Sequence, residues 1–397
     1  MKKKWIALLL TALLCFSGCT AKPGTEETNV LPAETMEAQE PSAEPEQSPE
    51  AVQLYTAEDM QDVDSSNPNL KFSEVDFSKQ PAFQSKEGLD EYFRDCVEKR
   101  CRSIVFTCDR KLSLNLNSNR FCEDYLTVWS NVKMEPGDYG KHYIIRVTYY
   151  PGDNVAWAYN NHDTSSLEKK EPELYDAAVQ WLQENISDAM SDYEKCVAIH
   201  NYLSGTVRYS NQLLEELNSS FTFDWGITAY GAMIDHESIC QGYADAFRML
   251  TTMLGMDCIQ IYGTGSGEPH NWNMIRLDGK WYHVDCTQDD KFGDDGTSAK
   301  VYLFASDGQM RKTHSWDESR YPKADDDTLW YYRANNAILE REEELETMLA
   351  APLKEGKQVD LYVKNLPKKQ VCDYIQALGG QFHAADYGTD FLLCAWL

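Results

Sequence analysis

The chain has 397 residues, with 64 Asp and Glu against 37 Lys and Arg and a formal net charge of -27 at pH 7. Phosphate backbones are bound by clustered Lys and Arg, so this charge balance argues against a nucleic-acid partner. The length is sufficient for two or three domains with sizeable hydrophobic cores.

The first residues have the composition of an export signal. Three lysines at positions 2–4 precede an apolar run over 6–16, which is too short to be a good membrane span. The small residues that follow end in Cys19 and resemble the lipobox of bacterial lipoprotein signal peptides. Residues 1–19 are therefore predicted to be a signal peptide with Cys19 at the acylation site, which would anchor the protein to a membrane. An ordinary secretory signal, in which Cys19 is incidental, is the alternative.

Residues 20–66 are rich in Glu, Pro, Thr and Ser and poor in aromatic residues. Such a segment buries too little apolar surface to offset the entropy lost on ordering, so it is predicted to be a disordered acidic tether. Proline and like charge favour an extended chain. Much of the negative charge therefore belongs to the tether rather than to a folded domain.

A separate N-terminal α/β accessory domain is predicted over 67–165. Apolar residues at helical spacing predict a helix at 88–99, and β-rich runs predict strands at 103–108 and 143–150, the second stopped by Pro151. Four cysteines lie close enough in the chain to form disulfides in an exported protein, with the pairing left open: Cys96, Cys101, Cys108 and Cys122.

Two helices, at 174–186 and 192–203, are predicted near the start of a central domain that spans 166–327. The second helix has His200 on its apolar stripe, where we interpret it as a packed histidine. The polar segment 211–224 is predicted to be a loop.

The next predicted helix carries a cysteine in its first turn. Apolar spacing over 242–254 indicates a buried helix face, Gly255 is a natural stop, and Ser238 could cap the start. Cys240 would then lie where backbone N–H groups and the helix dipole stabilise a thiolate, and where the same groups could bind an oxyanion. A structural cysteine could occupy the same place, so this feature alone leaves both interpretations open.

A hairpin follows, because Asp278-Gly279 between alternating residues indicates a two-residue β-turn in which positions 277 and 280 pair. In that register His270 is the diagonal neighbour of Asp285, roughly 7–8 Å away between Cα atoms. An aspartate there can hold a histidine in the tautomer that faces a thiol, so the three residues are candidates for a nucleophile, its base and the orienting group. An ordinary cross-strand pair is the alternative. The opposite face is predicted to be core and carries Ile275, Leu277, Val284 and Cys286.

The C-terminal region, 328–397, is predicted to begin with a charged helix at 334–349. A small strand-helix-strand unit follows, with strands at 359–363 and 391–396 and a helix at 367–378. This unit is too short to be an independent enzyme.

Three motifs, in this order, resemble the core of the transglutaminase-like superfamily in its bacterial branch. They are Cys240-Gln-Gly-Tyr-Ala-x-Ala-Phe, His270-Asn-Trp-Asn, and Asp278-Gly-Lys-Trp-Tyr-His-Val-Asp285-x-Thr. The resemblance covers 174–316, a little over a third of the chain.

The resemblance implies an α+β fold with a papain-like or transglutaminase-like core, in which a cysteine-bearing helix packs on an antiparallel sheet between small α/β accessory units. It also implies that 166–327 is a catalytic domain with Cys240, His270 and Asp285 as its triad. Gln288 departs from the pattern, since relatives often carry Trp there, and this departure concerns the wall of the cleft rather than the triad.

Further site residues are predicted less directly. Tyr230 or Gln241 could donate a side-chain hydrogen bond to an oxyanion, and Trp272 could line the substrate cleft. The glycine-rich run 263–267 lacks the lysine of a phosphate-binding loop, so we interpret it as room for the backbone beside His270. No cofactor or metal site is predicted, since no CxxC pair occurs and the motif order favours acyl transfer.

The resemblance implies a thiol enzyme that acts on amide bonds through a thioester acyl-enzyme, and the predicted lipid on Cys19 would anchor it at the cell surface. Resolution by water would make it a peptidase or amidase, and resolution by an amine would make it a transamidase. Hydrolysis is favoured because an amine site needs additional architecture. The expected partners are a peptide or protein substrate, for example in the cell envelope, and a bacterial membrane on its extracytoplasmic face. The alternative is a catalytically inactive cell-surface binding or scaffold protein that retains the fold.

Overall fold

The computed structural model describes residues 63–108, 128–133, 142–220, 224–290, 299–387 and 389–397. Backbone contacts divide the chain into two compact units, and Thr148–Leu397 makes up most of the larger one. The predicted signal peptide with Cys19, Cys122 and most of the predicted tether lie outside the described residues. Within the described ranges, no helix has both the length and the apolar character needed to cross a membrane.

The chain before Pro151 forms a sheet with the strand order β1-β2-β4-β3, accompanied by one described α-helix. The helix and the two strands predicted here are confirmed, and no disulfide joins any two of the three described cysteines of this region, Cys96, Cys101 and Cys108. The elements are β1 (Ala82–Phe83), α1 (Lys86–Glu98), β2 (Ser103–Cys108), β3 (Val128–Lys133) and β4 (His142–Tyr149).

The larger unit has helices before and after a central sheet. Its first half contains α2 (Pro151–Asn161), α3 (Glu171–Asn185), α4 (Asp192–Thr206), β5 (Arg208–Tyr209), α5 (Asn211–Ser220), β6 (Glu237–Ser238) and α6 (Cys240–Met253). The central sheet and its short helices are β7 (Cys258–Gly265), β8 (Glu268–Leu277), β9 (Lys280–Val284), α7 (Cys286–Asp289), β10 (Leu303–Ala305), α8 (Asp307–Met310) and β11 (His314–Trp316). The C-terminal elements are α9 (Tyr331–Ala334), β12 (Ile338–Leu339), α10 (Ala351–Lys354), β13 (Val359–Val363), α11 (Lys368–Ala377), β14 (Gln381–Tyr387) and β15 (Asp390–Trp396).

The central sheet has the strand order β10-β9-β8-β7-β11, and every neighbouring pair is antiparallel. Helix α6 packs against β7 and β8 on one side and against α2 and α4 on the other. Phe247 and Leu250 of the helix meet Ile275 and Val284 of the sheet in a fully buried core. Each such side chain contributes about 1.5–3 kcal/mol to stability when buried. The unit is thus an α+β core with a cysteine-bearing helix on an antiparallel sheet, as predicted.

The predicted register of the β8–β9 hairpin is confirmed, since Leu277 pairs with Lys280 and Met274 with His283. Asp278 and Gly279 both have positive φ, 50° and 79°. This is the backbone of a type I′ turn, which matches the right-handed twist of the two strands. The turn therefore decides which face each hairpin side chain occupies. The predicted core face is confirmed, because Ile275, Leu277, Val284 and Cys286 are all buried.

The prediction that 211–224 is a loop is wrong, because Asn211–Ser220 is helical. The Ser210 hydroxyl accepts a hydrogen bond from the Leu213 amide (3.2 Å), and this caps the helix start. Leucine side chains give the helix one half-buried face, an amphipathic pattern that its polar residues concealed.

Two further predictions need correction. Ser238 does not cap α6, because its hydroxyl donates to the Gly226 carbonyl (2.5 Å) and the N-cap residue is Ile239. The predicted helix 334–349 is wrong in its first half. Helix α9 ends at Ala334, and the chain then forms β12, where pairing with β13 satisfies the backbone. The second half is helical, as a 3₁₀-helix at Glu342–Glu344 and a π-helix at Glu346–Ala350 that leads into α10. Strand β14 was not predicted, although the strands and the helix that were predicted beside it are confirmed.

Candidate active site

Cys240 is the first residue of α6 and is 9 % exposed. The carbonyl of Ile239 accepts hydrogen bonds from the amides of Gly242 (2.9 Å) and Tyr243 (3.4 Å). The amides of Cys240 itself and of Gln241 precede the first helical hydrogen bond, so they remain available beside the thiol. The helix start therefore places Cys240 where free backbone donors and the helix dipole favour an anion.

His270 and Asp285 form a buried pair beside this thiol. Nε2 of His270 lies 2.7 Å from Oδ2 of Asp285, and the two residues are 6 % and 1 % exposed. Because Nε2 donates to the carboxylate, Nδ1 is the ring nitrogen left for Cys240, whose thiol interacts with the His270 ring. The structure thus brings together the three residues that the hairpin register and the helix start had indicated.

The electrostatics of the pair favour a charged histidine. Burial is the largest influence and would lower the pKa of His270, but the charge and hydrogen bond of Asp285 outweigh it. Together with the Cys240 thiol they raise this pKa to about 10. For Asp285, burial would raise the pKa, but the charge and hydrogen bond of His270 and a hydrogen bond from His314 hold it well below its usual range. His270 is therefore protonated and Asp285 ionised through the neutral range.

Asp285 is held by four donors. It caps α7 with Oδ1, which accepts from the amides of Thr287 and Gln288, both at 3.0 Å. Its Oδ2 accepts from Nε2 of His270 and also from Nε2 of His314, at 2.9 Å. The carboxylate orientation is consequently fixed from both sides.

Two glycines of the glycine-rich run, Gly263 and Gly265, provide the room beside His270 that was predicted. Both lie within β7 rather than in a loop. A Cβ on Gly265 would stand 2.8 Å from Cδ2 of His270. A Cβ on Gly263 would stand 2.2 Å from the Ser315 carbonyl oxygen and 2.9 Å from the Trp272 ring. Only glycine allows the histidine ring and strand β11 to approach β7 this closely.

We expect Gly265→Ala to displace the His270 ring and to slow iodoacetamide labelling of Cys240 by about tenfold or more, because small misplacements of reacting groups are costly. Peptide-mapping mass spectrometry measures that rate. Gly205→Ala is the control, since nothing lies within 4 Å of its added Cβ. An unchanged rate in Gly265→Ala would contradict the claim that this glycine sets the ring position.

Trp272 lies under the histidine rather than at a solvent-facing wall. Its ring stacks on that of His270 (centroids 5.9 Å apart, 19° between planes) and is almost fully buried. Its Nε1–H donates to Nδ1 of His283 (2.9 Å), whose Nε2 donates in turn to Oδ1 of Asp307 (2.8 Å). The indole N–H is therefore engaged, and the ring supports the imidazole.

The two side chains predicted as oxyanion donors are placed differently. The Tyr230 hydroxyl donates to Oε2 of Glu173 (2.7 Å). Oε1 of Gln241 accepts from Nδ2 of Asn271, and Nε2 of Gln241 is buried without a hydrogen-bond partner among the described residues. Gln241 therefore retains a free donor next to the nucleophile.

Two site residues were missed. Tyr209 pairs with Ser238 across β5 and β6, next to the start of α6. Burial, followed by the charges of Cys240 and Asp285, raises its pKa. His314 reaches Asp285 from β11, at the far edge of the sheet. Neither residue was assigned to the site from the sequence, because both reach it through strand pairing between segments that are remote in the chain.

One cluster within the described ranges has the residue types of a metal site. Ligand atoms of His270, Asp285 and His314 lie within 4.8 Å of one another and could hold a divalent cation. The two histidine–carboxylate contacts have ordinary hydrogen-bond lengths, 2.7 and 2.9 Å. A cation would have to displace both N–H protons, so the arrangement is better described as a hydrogen-bonded cluster.

The fold and these side chains define an α+β protein with a Cys-His-Asp arrangement built from a helix start and a hairpin. Residues 179–286 match the family model of the Transglutaminase-like superfamily, so the chain contains a transglutaminase-like domain.

More distant similarities accompany this match. Kyphoscoliosis peptidase of Mus musculus is 26 % identical over 172 residues, and that of Homo sapiens is 26 % identical over 174 residues. Each alignment covers 39 % of this chain and 25 % of the relative, so it spans about a quarter of the length of these relatives. A crystal structure of a TGase is 16 % identical, with 52 % of this chain and 59 % of that chain covered and a TM-score of 0.27.

Proposed function

We propose that the protein is a thiol enzyme that acts on amide bonds of peptides or proteins, with Cys240, His270 and Asp285 as its catalytic triad. The observation that carries this proposal is the buried 2.7 Å hydrogen bond between His270 and Asp285, next to a thiol at a helix start that interacts with the His270 ring. The match of residues 179–286 to a superfamily of this chemistry supports it.

In the proposed reaction, the Cys240 sulfur attacks the amide carbonyl carbon and His270 carries the proton released by the thiol. His270 then gives that proton to the departing amine, and a thioester to Cys240 remains. Water or a second amine attacks the thioester with His270 as base, which releases the acid or a new amide and restores the thiol. Asp285 keeps Nε2 of His270 protonated, so that Nδ1 exchanges the proton throughout.

The oxyanion of the tetrahedral intermediate needs donors near the sulfur. The amides of Cys240 and Gln241 at the helix start are suitable, and the unpartnered Nε2 of Gln241 is a third candidate. Each donor aimed at the developing charge is worth a large part of the rate enhancement.

Hydrolysis is the outcome that we favour, because water is abundant and an acceptor amine needs its own binding site. The experiment is incubation with a library of peptide amides, with and without an added primary amine, followed by mass spectrometry of the products. Release of free acids supports the proposal, and amine adducts alone would make the protein a transamidase. If neither product forms and Cys240 is not acylated by any member, the enzyme proposal is wrong.

We also propose that the protein is attached to the extracytoplasmic face of a bacterial membrane through lipid on Cys19. The support is the signal-like sequence of residues 1–19. Membrane fractionation of the full chain and of Cys19→Ala tests this, and a Cys19→Ala protein that stays in the membrane fraction would contradict it.

A further inference from the structure

We propose that His314 is a positioning residue for this chemistry, a second imidazole that holds the orienting carboxylate and keeps the Nε2 proton on His270. The inference rests on the proposed function. The geometry that points to it is one carboxylate oxygen, Oδ2 of Asp285, shared by two histidine N–H donors at 2.7 and 2.9 Å.

The hydrogen-bond partners of the His314 ring indicate which of its two nitrogens carries a proton. Its Nδ1 lies 2.9 Å from Oγ1 of Thr313, and that oxygen lies 3.0 Å from the Tyr302 hydroxyl. A neutral ring that donates from Nε2 to Asp285 has Nδ1 free to accept from the Thr313 hydroxyl, which can accept in turn from Tyr302. The chain of hydrogen bonds is therefore complete with a neutral imidazole.

The position of the His314 ring is determined by packing and strand pairing. The residue is 4 % exposed, and its ring meets those of Trp272 and Tyr302 edge to face, at 4.9 and 5.0 Å between centroids. On the backbone it pairs with Gly265 of β7, the glycine that gives the His270 ring its room. Both histidines are thus held against the same strand.

The hydrogen bond from His314 affects how strongly Asp285 attracts the proton on Nε2 of His270. An oxygen that already accepts one N–H is a weaker base toward a second proton, because its lone-pair density is shared. His314 therefore lowers the tendency of Oδ2 to take the Nε2 proton from His270. The exchangeable proton then stays on Nδ1, the side of Cys240, and the carboxylate cannot rotate away while His270 alternates between its charged and neutral forms.

The test uses iodoacetamide as the probe on the full chain, with labelling of Cys240 followed by mass spectrometry from pH 6 to 9. We expect His314→Phe, which keeps a ring but lacks the donor, to label about tenfold more slowly, as expected for loss of a hydrogen bond to a charged group. His314→Gln can donate to Asp285 and accept from Thr313, so we expect it to restore most of the rate. Thr313→Val removes only the hydroxyl that fixes the tautomer, and we expect a smaller loss with intact folding.

A second readout does not depend on the reaction. Proton NMR of ¹⁵N-histidine-labelled protein should contain downfield imidazole N–H resonances from the two bonds to Asp285 and from the His200–Asp289 and His283–Asp307 bonds, and one of these resonances should be missing in His314→Gln. If His314→Phe does not fold, this spectrum and Thr313→Val decide the question.

The outcomes separate the two claims. Wild-type labelling that is fast, slowed in His314→Phe and Thr313→Val and restored in His314→Gln, supports the role of His314. Fast labelling that is unchanged in all three variants, or the same set of downfield resonances in His314→Gln as in the wild type, overturns the role of His314 and leaves the thiol chemistry standing. A wild-type Cys240 that labels no faster than the buried thiols of the chain overturns the proposed function, and the role of His314 with it.

Discussion

Replacing Cys240 with alanine is expected to abolish the amide-bond chemistry, with a loss of at least about 10⁴-fold, because the residual rate of such enzymes without their nucleophile comes from binding and the oxyanion site alone. The fold should persist, since alanine is a good helix former and Cys240 is only the first residue of α6. Turnover of the peptide amides that the wild type cleaves measures the effect.

The matched control for this variant is Cys372→Ala. Cys372 is a half-buried free thiol on α11, outside the site. The Cys372→Ala protein should keep full activity, and in the wild type Cys372 should be alkylated more slowly than Cys240. Full activity in Cys240→Ala would show that another group carries the reaction.

Asp285→Asn is the second change with a large expected effect, because every partner of this carboxylate is a donor. Two backbone amides bind Oδ1 and two histidine N–H groups bind Oδ2. In either orientation of an asparagine side chain, its NH₂ group faces two donors. At the Oδ1 position the two backbone hydrogen bonds are lost, and at the Oδ2 position the histidines must lose their bonds or change tautomer. We expect the reaction rate to fall by about 10⁴-fold, the size known for the same change in a serine-protease triad.

The same substitution should also destabilise the fold, by about 3–5 kcal/mol, since it leaves a buried charged partner uncompensated. Urea unfolding measures this loss. Asp278→Asn is the control, because Asp278 is exposed at the turn and asparagine tolerates its positive φ. Equal stability of the Asp285→Asn and Asp278→Asn proteins would contradict the assigned hydrogen bonds.

The pH dependence of stability follows from the raised pKa of His270. A histidine with a raised pKa in the folded state stabilises the fold fully below its unfolded value of about 6.5. This stabilisation is lost as the pH rises to about 10. In Asp285→Asn the carboxylate that raises this pKa is absent, so the alkaline loss of stability should be much smaller there.

The part of the site that could be predicted from sequence depends on local rules. Asp278 and Gly279 favour a type I′ turn, that turn determines the hairpin register, and the register brings His270 to Asp285. The helical spacing after Gly242 likewise places Cys240 in the first turn of α6. Short-range chemistry was sufficient for these residues because each lies within one supersecondary unit.

The remaining features depend on contacts that are remote in sequence. His314 reaches Asp285 only because β11 pairs with β7 at the edge of the sheet. Ser238 looked like a helix cap, but its hydroxyl bonds to the Gly226 carbonyl instead. The helix at Asn211–Ser220 was obscured by polar residues on its exposed face. Such features depend on tertiary packing, which local propensity does not contain.

The measurement that tests the central claim most directly is the rate of iodoacetamide labelling at each cysteine of the native protein as a function of pH. If His270 is protonated through the neutral range and supports a reactive thiol, Cys240 should label fastest of the cysteines at neutral pH. His270→Ala should remove this advantage. Labelling of Cys240 no faster than that of Cys372 at neutral pH, with no change in His270→Ala, would contradict the account.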